Sequence, residues 1–192
     1  MRRKTRLWRS LPWTFISTAA TLVQPGKPVS PAASAIHHLI DADLKAAPAL
    51  ADVVQRFVGA DAYVAHNCSF EKSFLHDYIG QAVWVCTYKC ALRIWPDLES
   101  YSNQALRYQL GLIDPLGVDR ATLVPHRALS DAIVTAAILV ELLKHAGWNE
   151  LVQWSEELAL LTIFGFGKHR GERYDEVPKD YLRWIAGAQQ LA

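Results

Sequence analysis

The 192-residue chain lacks acidic residues at its start, because none precedes Asp41. The first nine residues carry five basic ones instead, namely Arg2, Arg3, Lys4, Arg6 and Arg9. The rest of the chain contains the other 15 of the 20 basic residues and all 19 acidic ones, so its net charge is −4. A body of that charge does not bind nucleic acid indiscriminately, and any such binding must be local.

Cysteines and long apolar runs are also scarce. The chain has three cysteines, which are Cys68, Cys86 and Cys90. This odd, small number excludes a disulfide scaffold, and we expect buried or half-buried free thiols in a reducing compartment, the cytoplasm. No apolar run reaches the length of about 18 residues that a membrane-spanning helix needs. Residues 1–18 form an atypical basic segment that only weakly imitates a signal peptide, because Arg9 and Pro12 interrupt its apolar part.

Strand-like and helix-like patterns alternate along the rest of the chain, which implies an α/β layer. The strand-like stretches are residues 13–23, 62–66 and 82–87. The helical patterns include one after Ser30 and Pro31, one over 128–145 and one over 148–161. We expect a main domain over 19–147, followed over 148–192 by a helix and a small α-rich module whose start is rich in glycine and basic residues.

Polar side chains gather where the strand predicted at 62–66 ends. His66 is its last residue, and Asn67, Ser69 and Glu71 follow in "VAHNCSFEKSFL", at the strand end where α/β sheets bind ligands. The alternative is a capped helix, with Asn67 or Ser69 as the cap and Glu71 near the positive end of the helix dipole.

A second group lies in "PHRALSDA", where His126 comes five residues before Asp131. Five helical residues turn the chain about 500°, so the two side chains could not share a helix face. Pro125 favours a loop at His126 and a helix start near Arg127 or Ala128, from which the imidazole can fold back toward Asp131. An equally good interpretation is that His126 is only a polar loop residue and that Asp131 stabilises the N-terminus of the helix.

The third group is "FGKHRG", in which glycines flank Lys168, His169 and Arg170. Backbone amides and cations on a glycine loop suit phosphate oxygens. An ordinary solvated turn explains the same residues.

Taken together, these motifs resemble those of the DEDDh-type 3′–5′ exonucleases, the family of the DNA polymerase III epsilon proteins. Four ordered stretches carry the resemblance, which spans roughly residues 19–186: "LVQPGKPVSPAASAIHHLIDADL", "YVAHNCSFEKSFL", "WVCTYKCALRIWPDLESYSNQAL" and "HRALSDAIVTAAILVELL". The tail "FGFGKHRGERYDEVPKDYLRWI" looks like the C-terminal module of the exodeoxyribonuclease X group in that family.

The resemblance implies an RNase H-like mixed sheet flanked by helices, and hydrolysis of DNA from single-stranded 3′ ends. It implies that His126 is the general base and that Asp131 and Glu71 are metal ligands. It implies DNA contacts by His66, Asn67 and the three basic residues of the tail, Lys168, His169 and Arg170. The family clamps the scissile phosphate between two ions, and oxygen ligands suit Mg²⁺ or Mn²⁺.

The sequence departs from the family at two places. The family has Asp where this chain has Glu71, and it opens on a strand bearing an Asp-x-Glu pair, whereas residues 1–40 contain no acid. The strand at 13–23 corresponds to a later one, so the N-terminal hairpin is expected to be missing. At most one ion should bind to the remaining carboxylates. A wrong start, a frame change, a truncated gene and a degenerate paralogue would all give this pattern. The alternative function is a non-catalytic nucleic-acid- or protein-binding remnant of the family.

Overall fold

The structure, a computed structural model, describes residues 18–188. Three short helices come first: α1 (Pro31–His37), α2 (Asp41–Leu44) and α3 (Leu50–Val54). Ser30 caps α1 as predicted, because its Oγ accepts a hydrogen bond from the backbone N–H of Ala33 at 3.2 Å. The expected basic segment at 1–18 lies outside the described residues except for its last position.

The strand predicted over 13–23 is wrong for its described part. Residues 18–23 have no regular secondary structure, and the following Gln24 makes one parallel bridge to Ala49. The residues before 18 lie outside the described part. Branched and aromatic residues favour a strand only where a neighbouring strand satisfies the backbone. The largely exposed 18–23 segment has no such neighbour among the described residues.

The described strands pair in parallel. They are β1 (Ala62–Ala65) and β2 (Val83–Cys86), with Ala65 opposite Cys86. Parallel neighbours need a crossover connection, which α4 (Ser69–Ile79) supplies. Both strands were predicted within a residue or two. The described sheet is a two-stranded parallel one and not the mixed sheet that was expected.

Four helices build the main core. They are α5 (Thr87–Ile94), α6 (Asn103–Gln109), α7 (Ala128–Leu142) and α8 (Trp148–Glu156). Helix α7 packs on β1, α5 and α6, while α8 packs on β2 and α5. The fully buried side chains of this core include Val85, Leu106, Ile138, Leu142 and Leu151. The chain is therefore a mixed α/β protein in which α7 is tied directly to the strand pair.

The tail forms a small unit around Phe164. That buried ring contacts the rings of Phe166, Tyr174 and Tyr181, the last from α9 (Lys179–Ala188). An antiparallel bridge joins Ile163 to Arg173, and Arg173 also donates to Asp97 of the main body at 3.1 Å.

Helix α8 ends five residues before its predicted end at 161. Glu157 is extended, its side chain accepts from Arg93 at 2.6 Å, and its carbonyl accepts from Lys89 at 2.6 Å. These contacts with α5 replace the helical continuation. Across residues 18–188, the helices are all too short or too polar to cross a membrane.

Candidate functional site

The carboxyl ends of β1 and β2 bring the chain to one edge of the sheet. After β1 the chain turns at Asn67, whose left-handed backbone (φ 62°) redirects it into α4. After β2 it enters α5 directly at Thr87. Asparagine is among the few non-glycine residues that adopt this conformation readily. The predicted side chains after β1 therefore lie beside the start of α5.

Both ring nitrogens of His66 are engaged within the protein. Nε2 lies 2.8 Å from the carbonyl oxygen of Tyr101, and Nδ1 lies 2.9 Å from Oγ1 of the buried Thr87. Because a carbonyl can only accept, Nε2 carries the proton and Nδ1 accepts from the hydroxyl. Burial lowers the pKa of His66, so the ring is neutral near pH 7. His66 thus joins β1 to α5 and to the chain before α6.

Glu71 lies in the first turn of α4 and is half-buried. Its Oε2 is buried without a hydrogen-bond partner among the described residues. Burial raises the pKa of Glu71, and the nearby Cys86 adds to that effect. A buried carboxylate oxygen without a donor costs free energy, so it can accept a cation or a proton.

Cys86 ends β2 and is buried. Hydrogen bonding to the Cys68 thiol and to the backbone N–H groups of Lys89, Cys68 and Asn67 lowers the pKa of Cys86 to about 5, against the opposing effect of burial. The same hydrogen bond raises the pKa of the Cys68 thiol, which keeps its proton. All three cysteines are free and buried, as predicted.

Asp131 is held by side chains of α6. Its Oδ1 accepts from Nε2 of Gln104 at 3.1 Å, and its backbone carbonyl accepts from Nδ2 of Asn103 at 3.4 Å. Oε1 of Gln104 in turn accepts from the buried Arg107 at 3.4 Å. Because Arg107 can only donate, it fixes the Gln104 amide with its NH₂ group toward Asp131.

His126 lies in an exposed turn before α7, which begins at Ala128 as predicted. Its backbone is left-handed (φ 60°), a conformation that costs a non-glycine residue about 1–2 kcal/mol. Among the described residues, its ring makes no hydrogen bond or ion pair. Strain of this kind persists where the surroundings impose it, often at functional sites.

The structure brings some predicted residues together and leaves others apart. Asp131 and Cys86 both raise the pKa of His66 against burial, and Cys86 also acts on Glu71, so these four groups share one region. His126 makes no contact with Asp131 in this arrangement.

The basic turn of the tail is shaped by Tyr181. Gly167 has a φ of 65°, and a side chain there would meet the Tyr181 hydroxyl at 2.7 Å. His169 contacts the Tyr181 ring and pairs with Glu172 at 2.8 Å, which leaves Lys168 and Arg170 as the exposed cations of the turn. Close packing against Tyr181 therefore explains why position 167 is a glycine.

A cavity of about 500 Å³ connects the strand ends with the tail. His66, Asn67, Tyr88 and Tyr101 line one side, and residues 161–163 line the other. Any ligand held there would contact both parts of the protein.

The carboxylates of Glu71 and Asp131 are the candidate ligands for a metal ion. Glu71 offers an unpartnered oxygen and Asp131 a half-buried one, and oxygen donors suit Mg²⁺ or Mn²⁺. Within residues 18–188, however, no three His, Cys, Asp or Glu side chains are grouped so that they could hold a metal ion. The described carboxylates are the kind of ligand that a two-ion site uses, but too few of them are grouped together.

The roles of Gln104, Arg107, Thr87 and Cys86 were not anticipated from the sequence. The stretch "SNQAL" stands out in the sequence only as the end of the motif "WVCTYKCALRIWPDLESYSNQAL". Two amides directly after the Ser102 cap were a usable signal, because polar side chains at a helix start often contact a neighbouring element.

Comparison with known proteins places these motifs in context. Residues 13–139 match the RNase T family of exonucleases. Exodeoxyribonuclease 10 of Escherichia coli K12 is 36% identical over 178 residues, which are 89% of this chain and 77% of that protein. A DNA polymerase III subunit epsilon-like protein of Rhodobacter capsulatus is 33% identical over 132 residues, 64% of this chain and 18% of that protein. A solved structure of exonuclease X in complex with 5′ overhanging duplex DNA has a TM-score of 0.59 and 36% identity, covering 70% of this chain and 78% of that one.

Proposed function

Because the chain belongs to the RNase T family of exonucleases, we propose that it acts on the 3′ ends of DNA and that the 192-residue polypeptide hydrolyses them only weakly. The similarity to exodeoxyribonuclease 10 over 89% of the chain supports DNA as the substrate class. The epsilon-like relative supports the 3′–5′ direction. An RNase H-like arrangement, extended beyond the two described strands, belongs to the same proposal.

The observation that carries the proposal is the convergence of the strand ends with the first turn of α7. Glu71 presents a buried oxygen without a donor, and Asp131 is anchored by Gln104. We assign these carboxylates to a single Mg²⁺ or Mn²⁺ ion. His126, exposed on a strained turn, is assigned as the general base, since a neutral imidazole nitrogen can accept the proton of an attacking water.

The weak hydrolysis follows from the number of carboxylates. Two metal ions about 4 Å apart carry a charge of about +4 and repel each other strongly in a partly dry cleft. Glu71 and Asp131 supply −2, and residues 1–40 supply no acid. We therefore expect these carboxylates to hold at most one ion.

DNA contacts are assigned to two surfaces. Asn67 is exposed at the strand ends beside His66, whose ring edge can contact DNA while its nitrogens remain bonded inside the protein. Lys168 and Arg170 are exposed on the tail turn, where His169 holds the turn against Tyr181. The cavity between these surfaces supports a path for a single strand across both.

A second candidate function is DNA or protein binding without catalysis. The observation that favours it is the engagement of Asp131 by Gln104, in a described chain without a three-ligand metal group. In that case the fold and its binding surfaces would persist without turnover.

The proposal is tested by fluorescence anisotropy with a duplex that has a recessed 3′ end, a blunt duplex and a single strand. We expect the recessed duplex and the single strand to bind more tightly than the blunt duplex, and Asn67→Ala to weaken both. The matched control is Asn149→Ala, an exposed position at the start of α8. Equal affinity for all three DNAs would contradict recognition of 3′ ends.

A further inference from the structure

The cavity of about 500 Å³ between the strand ends and the tail has an aromatic wall. Its volume is typical of a small-molecule site. The half-buried Tyr88 lines it, and the rings of His66 and Tyr101 meet Tyr88 edge to face, with centroids 5.8 and 6.5 Å away. The Tyr101 hydroxyl donates to the Trp95 carbonyl at 2.5 Å, which fixes that ring. The wall is therefore a positioned aromatic surface against which a flat ring can pack.

The opposite wall is the linker between α8 and the tail, residues 161–163. The Thr162 carbonyl accepts from the Tyr174 N–H at 3.0 Å, and Ile163 makes the antiparallel bridge to the tail. Leu161 and Ile163 remain 46% and 38% exposed, although both are large and apolar. Solvent therefore reaches this wall, and a ligand held between the two walls would cover apolar surface on both sides.

Three polar groups in the cavity have no hydrogen-bond partner among the described residues. They are the side-chain NH₂ group of Asn67, the hydroxyl of Tyr88 and the carboxylate of Glu99. Ser69 donates to Oδ1 of Asn67 at 3.2 Å, which leaves the NH₂ group of that amide as the donor for a ligand. The backbone of Glu99 is held by α6, because its N–H donates to the Gln109 side chain at 3.1 Å. The cavity thus offers a donor, an acceptor and a hydroxyl group to a ligand.

The charges of the lining disfavour a phosphate. No Lys or Arg is among the described residues that line the cavity, and Glu99 contributes a negative charge. A carboxylate repels a phosphate and accepts from N–H donors instead. Aromatic surfaces combined with a few hydrogen-bonding groups are what proteins use to hold an unpaired base. The lining therefore suits a nucleobase better than the DNA backbone.

Among the bases, guanine matches these polar groups best. Its N1–H and its N2 amino group are adjacent donors, which can bond to the two oxygens of the Glu99 carboxylate. Its O6 is an acceptor for the NH₂ group of Asn67. Thymine has a single N–H between two carbonyls, and adenine and cytosine have an acceptor next to their amino group. None of these three offers two adjacent donors to a carboxylate.

We propose that the cavity binds one guanine base and that the bound DNA strand supplies it. The base packs between Tyr88 and residues 161–163, with its N1 and N2 donors on Glu99 and its O6 on Asn67. The assignment rests on the proposed function for the source of the guanine. It deepens that function, because it gives the path of the single strand a preference for one base.

The first test measures the binding of 2′-deoxyguanosine to the full 192-residue protein by ligand-detected NMR titration, beside deoxyadenosine, deoxycytidine and thymidine. We expect deoxyguanosine to bind about tenfold more tightly than the others, within the discrimination of a good bidentate contact. Glu99→Gln should remove this preference, because an amide has only one acceptor oxygen. Glu156→Gln, also exposed, should retain it. Equal affinity for the four nucleosides, no binding, or a preference that survives Glu99→Gln would overturn the proposal.

A second pair of variants locates the site. Tyr88→Leu should weaken deoxyguanosine binding about tenfold, the loss expected for one aromatic contact with a base. The control is Tyr108→Leu, at an exposed ring that does not line the cavity. Unchanged binding to a folded Tyr88→Leu would place the nucleoside elsewhere and overturn the proposal. Because Glu99 is exposed, Glu99→Gln keeps the fold and decides the question even if Tyr88→Leu folds poorly.

Two single strands of equal length identify the source of the guanine. A strand with guanines spaced among thymines should bind the parent protein more tightly than an all-thymine strand, and Glu99→Gln should bind both alike in fluorescence anisotropy. Equal binding of the two strands to the parent would overturn DNA as the source and leave a site for a free guanine nucleoside. Deoxyguanosine carries neither a phosphate nor a strand end, so its binding and the recognition of 3′ ends can fail separately.

Discussion

The left-handed backbone of His126 allows its effect on stability to be measured separately from its effect on hydrolysis. A glycine relieves this conformation, whereas an alanine does not. We expect His126→Gly to unfold with a free energy at least equal to that of the parent, and about 1 kcal/mol above that of His126→Ala. Both variants should lose any hydrolysis that depends on the imidazole. Denaturant unfolding and a nuclease assay measure the two effects, and a more stable Ala variant would show that the turn is unstrained.

Glu71 predicts a dependence of stability on pH. Burial raises its pKa in the folded protein above the value in the unfolded chain. The folded state therefore binds the proton more tightly, and the stability that this provides at low pH is lost as pH rises through the folded pKa. Glu71→Gln does not undergo this loss.

We expect Glu71→Gln to raise the free energy of unfolding at pH 7 by about 1 kcal/mol, within the cost of a buried unpartnered acceptor. The gain should vanish below about pH 4, under the ordinary glutamate pKa. Glu156→Gln, at an exposed end of α8, should show no such trend. Urea unfolding across the pH range measures both variants, and a destabilised Glu71→Gln at pH 7 would mean that the carboxylate has a favourable partner.

At the scale of single residues, the sequence anticipated the candidates but not their partners. His126, Asp131 and Glu71 could be chosen because motifs and strand ends point to them. The contact of Gln104 with Asp131 spans 27 positions and depends on how α6 packs against α7. Local patterns do not contain that packing, and no spacing rule predicts it.

At the scale of elements, strong local patterns identified the two described strands and helices such as α1 and α7. Strands β1 and β2 are short apolar runs followed by polar residues, and α7 is a long apolar segment. The prediction from sequence is wrong where contacts between distant residues set the end of an element. Hydrogen bonds from Lys89 and Arg93 of α5 to Glu157 end α8 early. The prediction is also wrong over residues 18–23, where a strand-like composition has no neighbouring strand among the described residues.

The tail turn is the element whose role is most open to direct test. Lys168 and Arg170 are exposed, and each phosphate contact contributes about −0.7 to the slope of log affinity against log salt on single strands. Replacing both with Ala should flatten the slope by about 1.4 and weaken binding to all sequences alike. The control replaces the exposed Lys45 and Arg56 with Ala, which removes the same charge from another part of the surface. An unchanged slope in the tail variant would identify an ordinary solvated turn.

At the scale of the whole molecule, family membership and catalytic capacity are separate properties. Similarity to an exodeoxyribonuclease over most of the chain coexists with too few grouped carboxylates in the described part. In the proposed function, binding depends on surfaces that are distributed over the strand ends and the tail, whereas hydrolysis depends on ligands in one place. Too few carboxylates would therefore weaken hydrolysis and leave binding intact.

The most direct measurement follows a 5′-labelled single-stranded DNA with the purified 192-residue protein in excess Mn²⁺. We expect the DNA to be bound but to remain almost full length, with the slight shortening lost in His126→Ala and in Asp131→Ala. Rapid, progressive shortening of the DNA from the 3′ end by the parent protein would contradict the account.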